Sequence, residues 1–148
     1  MSAGRVGASP HRVGGYERVT GLQEYVADIR LQDVLHVKLV ALDCARARLH
    51  AIDTAAAEQV PGVRLVMTAA DLPQPVPRFG PQFSDRPILA LGETKYHGEP
   101  VAAVAAEPKD AAVAAARLGR VDHEELPGGV FSVAAALDPA SPLVQDPA

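Results

Sequence analysis

Residues 98–106 have the sequence Gly-Glu-Pro-Val-Ala-Ala-Val-Ala-Ala, in which a turn precedes an almost wholly apolar run of strand length. Such a run predicts a β-strand that is covered on both faces. Pro108 follows at the expected first position of a helix that runs to Leu118, because a missing N–H costs nothing there. We expect Gly119 to end this helix in the left-handed conformation. The stretch therefore predicts a buried strand joined directly to a helix.

The segments before this stretch have the patterns of further strands and short helices. Residues 35–40, 48–52 and 63–67 are predicted strands, because apolar side chains alternate with polar ones or form short runs. Asp53 is placed to cap a helix that Pro61-Gly62 stops, since its carboxylate can accept free N–H groups of the first turn. Thr68 is placed to cap a short helical turn over residues 69–72 in the same way.

After the helix, residues 121–126 predict a last strand, and Ser132 is placed to cap a short helix over residues 133–137. The order of elements predicts an α/β (α+β) domain, with one mixed sheet and helices packed against it. We expect residues 1–18 to be a flexible arm, residues 19–137 to form the domain and residues 138–148 to be an extended tail. Residues 73–86 are rich in proline and predict a long loop, a kind of segment that often carries function.

Composition excludes several functional classes. The net charge is −4 and there is no long basic run, which argues against a nucleic-acid partner. Arg46, Arg48 and His50 alternate with alanines, a pattern that favours the polar face of a strand over a phosphate site. No apolar run has the length of a membrane helix, and the N-terminus has no signal-peptide pattern. We expect a cytoplasmic protein.

The chain has one cysteine, Cys44, so an internal disulfide is excluded and a reducing compartment is favoured. A lone cysteine could be a nucleophile. The neighbouring carboxylate of Asp43 should raise the thiol pKa, however, which disfavours the reactive thiolate. We therefore favour a half-buried strand residue over a reactive thiol.

No catalytic constellation can be assembled from the sequence. The five histidines are scattered singly, without the spacing of metal ligands. His36 and His50 could meet across adjacent strands, although two neutral residues on a sheet face are the simpler interpretation. Glu124 and Glu125 should point to opposite faces of a strand, so they cannot share a proton. We predict no catalytic, cofactor-binding or metal-binding residue in this chain.

Six segments, in order, carry a resemblance to one family: residues 19–31, Val34-Leu35-His36, residues 47–54, residues 61–73, residues 98–107 and residues 121–127. Together they resemble the N-terminal a/b hammerhead domain of the molybdenum-binding subunit of the xanthine dehydrogenase/aldehyde oxidase family, over residues 12–146. Among the departures, His97 stands where the family usually has Val, and His123 stands where it has Tyr.

The resemblance implies a hammerhead-like fold and a place in a larger enzyme. In such enzymes the domain packs against a larger chain or domain that holds molybdopterin, and partners carry FAD and [2Fe–2S] clusters. The implied reaction is hydroxylation of aldehydes or N-heterocycles, and the pterin-binding and catalytic motifs lie downstream of this domain. An autonomous binding or adaptor domain, or an inactive relic of the family, is the alternative.

One loop is carried over from the resemblance. Residues 81–85 align with a loop that lines the substrate funnel in some family members, which makes Gln82 and Phe83 candidates for the border of the substrate entrance. The alternative is that this loop merely crosses a domain interface.

Overall fold

The computed structural model describes residues 7–127 and 129–144. The chain divides into two compact units, with Asp33 the last residue of the first and Val34 the first residue of the second. The predicted division into an arm, a domain and a tail remains a prediction. Its residues 1–6 and 145–148 lie outside the described part.

The first unit contains helix α1 (Gly15–Val19) and a 3₁₀ turn (Val26–Asp28). Residues 15–18 of α1 fall in the segment that the sequence predicts to be a flexible arm, and Val19 is the first residue of the predicted domain. The sequence pattern does not reveal this helix because the helix is only five residues long. A helix this short leaves no apolar period in the sequence and is formed by local hydrogen bonds at its ends.

The second unit contains the remaining elements: β1 (His36–Ala41), β2 (Ala47–Asp53), α2 (Ala55–Glu58), β3 (Val63–Thr68), a 3₁₀ turn (Ala69–Asp71), β4 (Arg78–Phe79), β5 (Arg86–Pro87), β6 (Glu93–Thr94), β7 (Pro100–Ala106), α3 (Lys109–Leu118), β8 (Arg120–Glu125) and α4 (Val133–Leu137). The predicted strands over residues 35–40, 48–52, 63–67, 101–106 and 121–126 are all present, shifted by at most one residue at either end.

The mixed α and β class is confirmed, but the single mixed sheet is wrong. The strands form three antiparallel sheets, with the orders β1-β7-β3, β6-β2-β8 and β4-β5. The chain leaves the first sheet through a bulge at Val40/Ala41 and enters β2 at Ala47. A connection this short cannot make a parallel crossover, and β2 pairs instead with β6 and β8 in the second sheet.

The core lies between the first sheet and two helices. Ala57 of α2, Val104 of β7 and Ala115 of α3 are fully buried together. Partly buried side chains surround them: Val40, Val60, Val63, Val66 and Ala116. Because alanine has only a methyl side chain, α2 and α3 can approach the sheet closely.

The ends of α3 differ from the prediction. Pro108 is the residue before the helix rather than its first residue, and its carbonyl accepts the N–H of Ala112 at 3.2 Å. Gly119 is extended, with φ −60° and ψ 123°, and not left-handed. The physical reason is that β8 begins at the next residue, so the chain must leave the helix already extended.

The Ser132 cap is confirmed, whereas the other two predicted caps differ in detail. The N-cap of α2 is Thr54 and not Asp53, although Asp53 still accepts an N–H of the first turn. Thr68 lies at the N-cap of the 3₁₀ turn as predicted, but its hydroxyl donates a hydrogen bond instead of accepting one. Asp53 Oδ1 accepts the N–H of Ala55 at 3.0 Å, and Ser132 Oγ accepts the N–H of Ala135 at 3.1 Å. At the 3₁₀ turn, the carboxylate of Asp71 accepts both the N–H and the hydroxyl of Thr68, at 2.8 and 2.9 Å. These bonds satisfy groups that the short helical turns leave without a partner.

Candidate functional site

One face of the first sheet is apolar and is not covered by the helices. In the register of the sheet, Val37 lies beside Ala105 and Ala105 beside Leu65. The next row on the same face consists of Leu39, Ala103 and Met67. Directly paired residues share a face, so the two rows form one patch of six apolar side chains. We call this patch the open sheet face.

The open sheet face is exposed at its margins. Val37 exposes 63% of its surface, Leu39 50% and Leu65 51%, whereas Ala103 in the central strand is buried. The opposite face carries Val40, Val104 and Val66, which pack in the core. Apolar side chains therefore occupy both faces of the sheet, although the helices cover only one of them. A contiguous exposed patch of this kind is typical of a docking surface.

The proline-rich segment forms a hairpin rather than an irregular loop. Strands β4 and β5 pair through Phe79 and Arg86, and the turn between them contains Gln82 and Phe83. Gly80 is required here, because a Cβ at this position would lie 1.8 Å from the carbonyl oxygen of Phe83. Arg78 Nη1 also donates a 2.8 Å hydrogen bond to the carbonyl of Asp85, which fixes the stem.

Both candidate residues of this hairpin are exposed, and Phe83 exposes 75% of its surface. A cleft of about 310 Å³ lies at the stem and is lined by Asp85, Arg86, Pro87, Lys95, Tyr96, Glu99 and Val144. Neither Gln82 nor Phe83 belongs to that lining. The geometry leaves both side chains free to contact another surface.

The arginines of β2 and of the bend before it are neutralised by carboxylates. Arg46 Nε lies 2.6 Å from Glu93 Oε1, and Arg48 Nη1 lies 2.8 Å from Glu124 Oε2. His50 lies at the bulge where the register of β2 against β8 shifts. Because both arginines already have a carboxylate partner, the segment offers little positive charge to a phosphate. Arg48 and His50 lie on β2 as the alternation predicts, whereas Arg46 lies in the bend before the strand.

The histidines do not come together. His36 lies on β1 of the first sheet and His50 on β2 of the second, so the predicted possibility of a meeting across adjacent strands is wrong. His97 Nε2 lies 2.8 Å from Asp43 Oδ1 at the surface. This pair joins residues that are 54 positions apart, and nothing in the sequence pattern indicates it.

Cys44 is buried, but it lies in the bend between β1 and β2 and not on a strand as predicted. Burial raises the pKa of its thiol, and the charges of Glu125 and Asp43 raise it further. The prediction that Asp43 raises this pKa is therefore confirmed, and burial is the larger cause. The thiol is held in its neutral form, which is a poor nucleophile and a poor metal ligand.

The described side chains do not fit a metal site of their own. Across residues 7–127 and 129–144, no group of three His, Cys, Asp or Glu side chains is placed to hold a metal ion. The helices of the same ranges also include none with the length and apolarity needed to cross a bilayer.

The motif over residues 98–107 has a structural explanation in the turn before β7. Gly98 has a φ of +81°, which glycine adopts at no steric cost. The carboxylate of Glu99 is buried and accepts the N–H of Lys95, which closes the turn. Pro100 then begins the central strand. The motif therefore positions the strand on which the open sheet face is built.

The sequence pattern of the family described as "Aldehyde oxidase and xanthine dehydrogenase, a/b hammerhead domain" matches residues 20–127. The chain belongs to this family. The nicotine 6-hydroxylase large subunit of Paenarthrobacter nicotinovorans is 36% identical over 115 residues, and the match covers 73% of this chain and 14% of that protein.

Solved structures of the family have the same fold. Quinoline 2-oxidoreductase from Pseudomonas putida 86 matches with a TM-score of 0.79 and 37% identity, over 89% of this chain and 18% of that chain. The aldehyde oxidoreductase from Desulfovibrio desulfuricans ATCC 27774 matches with a TM-score of 0.80 and 30% identity, over 93% of this chain and 16% of that chain. This chain thus spans less than a fifth of the length of these relatives.

Proposed function

We propose that this chain acts as a non-catalytic domain or small subunit of a molybdopterin-dependent oxidoreductase that hydroxylates aldehydes or N-heterocycles. Its task is to pack against the larger part that binds the cofactor. The open sheet face is the observation that carries this proposal. Relatives in which the matched region is a small share of a long chain support it as well.

The energetics favour such a docking. Val37, Leu39 and Leu65 each expose half or more of their surface. Burying the exposed part of each would contribute on the order of 1 kcal/mol. An autonomous adaptor or a relic of the family would be expected to have a polar surface instead, because an uncovered apolar face is an aggregation liability.

The cofactors follow from the same proposal. Molybdopterin would belong to the larger part, and FAD and [2Fe–2S] clusters to further partners. We also propose a cytoplasmic location, which is supported by a single cysteine that cannot form an internal disulfide. Gln82 and Phe83 are proposed to border the substrate entrance of the assembled enzyme. Their exposure at the tip of a hairpin with a fixed stem supports this role.

A chimera tests the docking role. This chain would replace the matched region of the Desulfovibrio desulfuricans aldehyde oxidoreductase, and the purified protein would be assayed for molybdenum and for aldehyde oxidation. We expect a soluble, molybdenum-containing enzyme. Leu39→Lys on the open sheet face should lower its yield by on the order of tenfold, because a charge would be buried at the interface.

Leu118→Lys is the matched control, since Leu118 exposes 46% of its surface at the end of α3, close to the 50% of Leu39. It should leave the yield nearly unchanged. Equal losses from the two substitutions, or a chimera without molybdenum, would contradict the proposed docking.

A further inference from the structure

Residues 7–33, here called the N-terminal segment, expose every large apolar side chain that they carry. These side chains expose between 55% and 94% of their surfaces: Val13, Tyr16, Val19, Leu22, Tyr25, Val26, Ile29 and Leu31. Within this segment no residue is buried. The segment therefore has no apolar core of its own, which is unusual for a stretch so rich in apolar residues.

Local hydrogen bonds nevertheless shape the backbone of the segment at its two helical turns. The N–H and hydroxyl of Thr20 both donate to the carbonyl of Tyr16, at 3.0 and 2.7 Å, and end helix α1. Gly21 follows with a φ of +75°, as is common after a helix. At the 3₁₀ turn, the N–H of Tyr25 donates to the Asp28 carboxylate at 3.0 Å.

The two helical turns each present an apolar pair. Tyr16 and Val19 are three residues apart on α1, so they lie on the same side of it. Val26 and Ile29 have the same spacing at the 3₁₀ turn. The hydrogen bonds at the two turns favour this backbone shape, so the segment loses less conformational freedom on binding than a peptide without them would. Its shape is thus suited to docking rather than to folding alone.

We infer that the N-terminal segment is a docking arm, which binds the larger, cofactor-binding part of the hydroxylase through Tyr16, Val19, Val26 and Ile29. This inference rests on the proposed function. It adds a second contact surface to the open sheet face, and this surface is made by different residues of the chain.

The comparison with solved structures supports the choice of this partner. The family pattern begins only at residue 20, but the match to the Desulfovibrio aldehyde oxidoreductase covers 93% of this chain. Such coverage cannot be reached without residues that precede Thr20. The corresponding segment of that enzyme belongs to a chain of which this one spans 16%. The rest of such a chain is the surface that would cover the apolar pairs.

Hydrogen exchange of the backbone amides tests the inference in the chimera described above. Isolated helical turns of this length exchange quickly. In the chimera we expect the amides of residues 15–30 to exchange on the order of tenfold more slowly than in the free chain. Val19→Ser/Val26→Ser should abolish this protection, whereas the control Arg18→Ser/Ala27→Ser, on the same two turns, should preserve it.

The free chain provides the second comparison. Val19 and Val26 expose 85% and 86% of their surfaces, so the double serine variant should leave the unfolding of the free chain unchanged. Protection that is already present in the free chain and is lost on dilution would show that a second copy covers the segment, and would overturn the inference.

The failure of the inference is distinguishable from that of the proposed function. A chimera that assembles with molybdenum, but whose amides at residues 15–30 are unprotected, refutes the docking arm and leaves the proposed function standing. If the full chimera does not assemble, the proposed function fails.

The same exchange experiment is then made with residues 1–33 alone grafted onto the aldehyde oxidoreductase. Protection in that graft supports the arm, and its absence, or a graft that does not fold, overturns it.

Discussion

The backbone N–H of Ala47 donates a 2.9 Å hydrogen bond to Oγ1 of Thr94, and both residues are almost completely buried. This bond joins the central strand of the second sheet to the two-residue strand β6. Thr94→Val keeps the shape of the side chain but leaves a buried N–H without an acceptor. We expect it to lower the free energy of unfolding by about 1–3 kcal/mol, measured by urea denaturation.

Thr54→Val provides the control with the same chemical change. The Thr54 hydroxyl donates to the Glu58 carboxylate at the surface, where water can replace it. Thr54 lies at the N-cap of α2, but its side chain accepts no backbone N–H there, so this variant should cost less than about 0.5 kcal/mol. If the two valine variants were equally stable, the buried bond would not contribute as stated.

Gly62 is required for two separate reasons. Its φ is +90°, and a Cβ at this position would lie 2.8 Å from Cδ of Pro108. Gly92 has a φ of +70°, but open space surrounds its Cβ position. Gly92→Ala should therefore cost about 1–2 kcal/mol from backbone strain alone. We expect Gly62→Ala to cost measurably more in the same denaturation experiment, and equal losses would exclude a steric contribution from Pro108.

Asp71 links stability to acidic pH. The hydrogen bonds from the backbone and hydroxyl of Thr68 lower the pKa of Asp71 in the folded chain. Its stabilising contribution is therefore present above the unfolded pKa and is lost as the pH falls through the folded pKa. The stability difference between the wild type and Asp71→Asn should accordingly shrink on acidification. When Thr68→Val is also present, the effect of Asp71→Asn on the free energy of unfolding should depend less on pH. An unchanged pH dependence would contradict the role of the hydroxyl.

Cys44 should react slowly with thiol reagents. Burial, Glu125 and Asp43 raise the pKa of Cys44, so the folded chain favours the neutral thiol. We expect alkylation near neutral pH to be on the order of tenfold slower in the folded than in the urea-unfolded chain. Glu125→Gln should accelerate alkylation less than unfolding does, because burial is the larger cause. The same raised pKa has a consequence for stability. Because the pKa of Cys44 is higher in the folded chain, the free energy of unfolding should decline as the pH rises above the ordinary thiol pKa.

The sequence predicts the features that depend on neighbours along the chain. The strand over residues 101–106 follows from its apolar run. The bonds of Asp53 and Ser132 to the first turns of α2 and α4 follow from side-chain oxygens that accept nearby N–H groups. In each case the physical cause lies within a few residues, so the local pattern contains the information.

Features that depend on distant residues could not be predicted in this way. Strand β7 pairs on both sides with β1 and β3, and strands β4 to β6 are two residues long and carry no period. The open sheet face is hidden from the sequence for the same reason. Leu39 and Met67 lie on either side of Ala103 in the folded sheet, and this arrangement can be recognised only when the register of all three strands is known. The contact of Gly80 with the carbonyl of Phe83 also requires the folded hairpin.

The proposed substrate-border role of Gln82 and Phe83 can be tested in the assembled chimera. Both residues are exposed at the hairpin tip, so Gln82→Ala/Phe83→Ala should leave the folding and molybdenum content unchanged. We expect the ratio of kcat/KM between a bulky aromatic and a small aliphatic aldehyde to change on the order of three- to tenfold. Ser84→Ala, in the same turn, is the matched control and should preserve that ratio. An unchanged preference and KM in the double variant would leave the hairpin as an interface loop only, because removal of a ring that contacts substrate must alter discrimination by size.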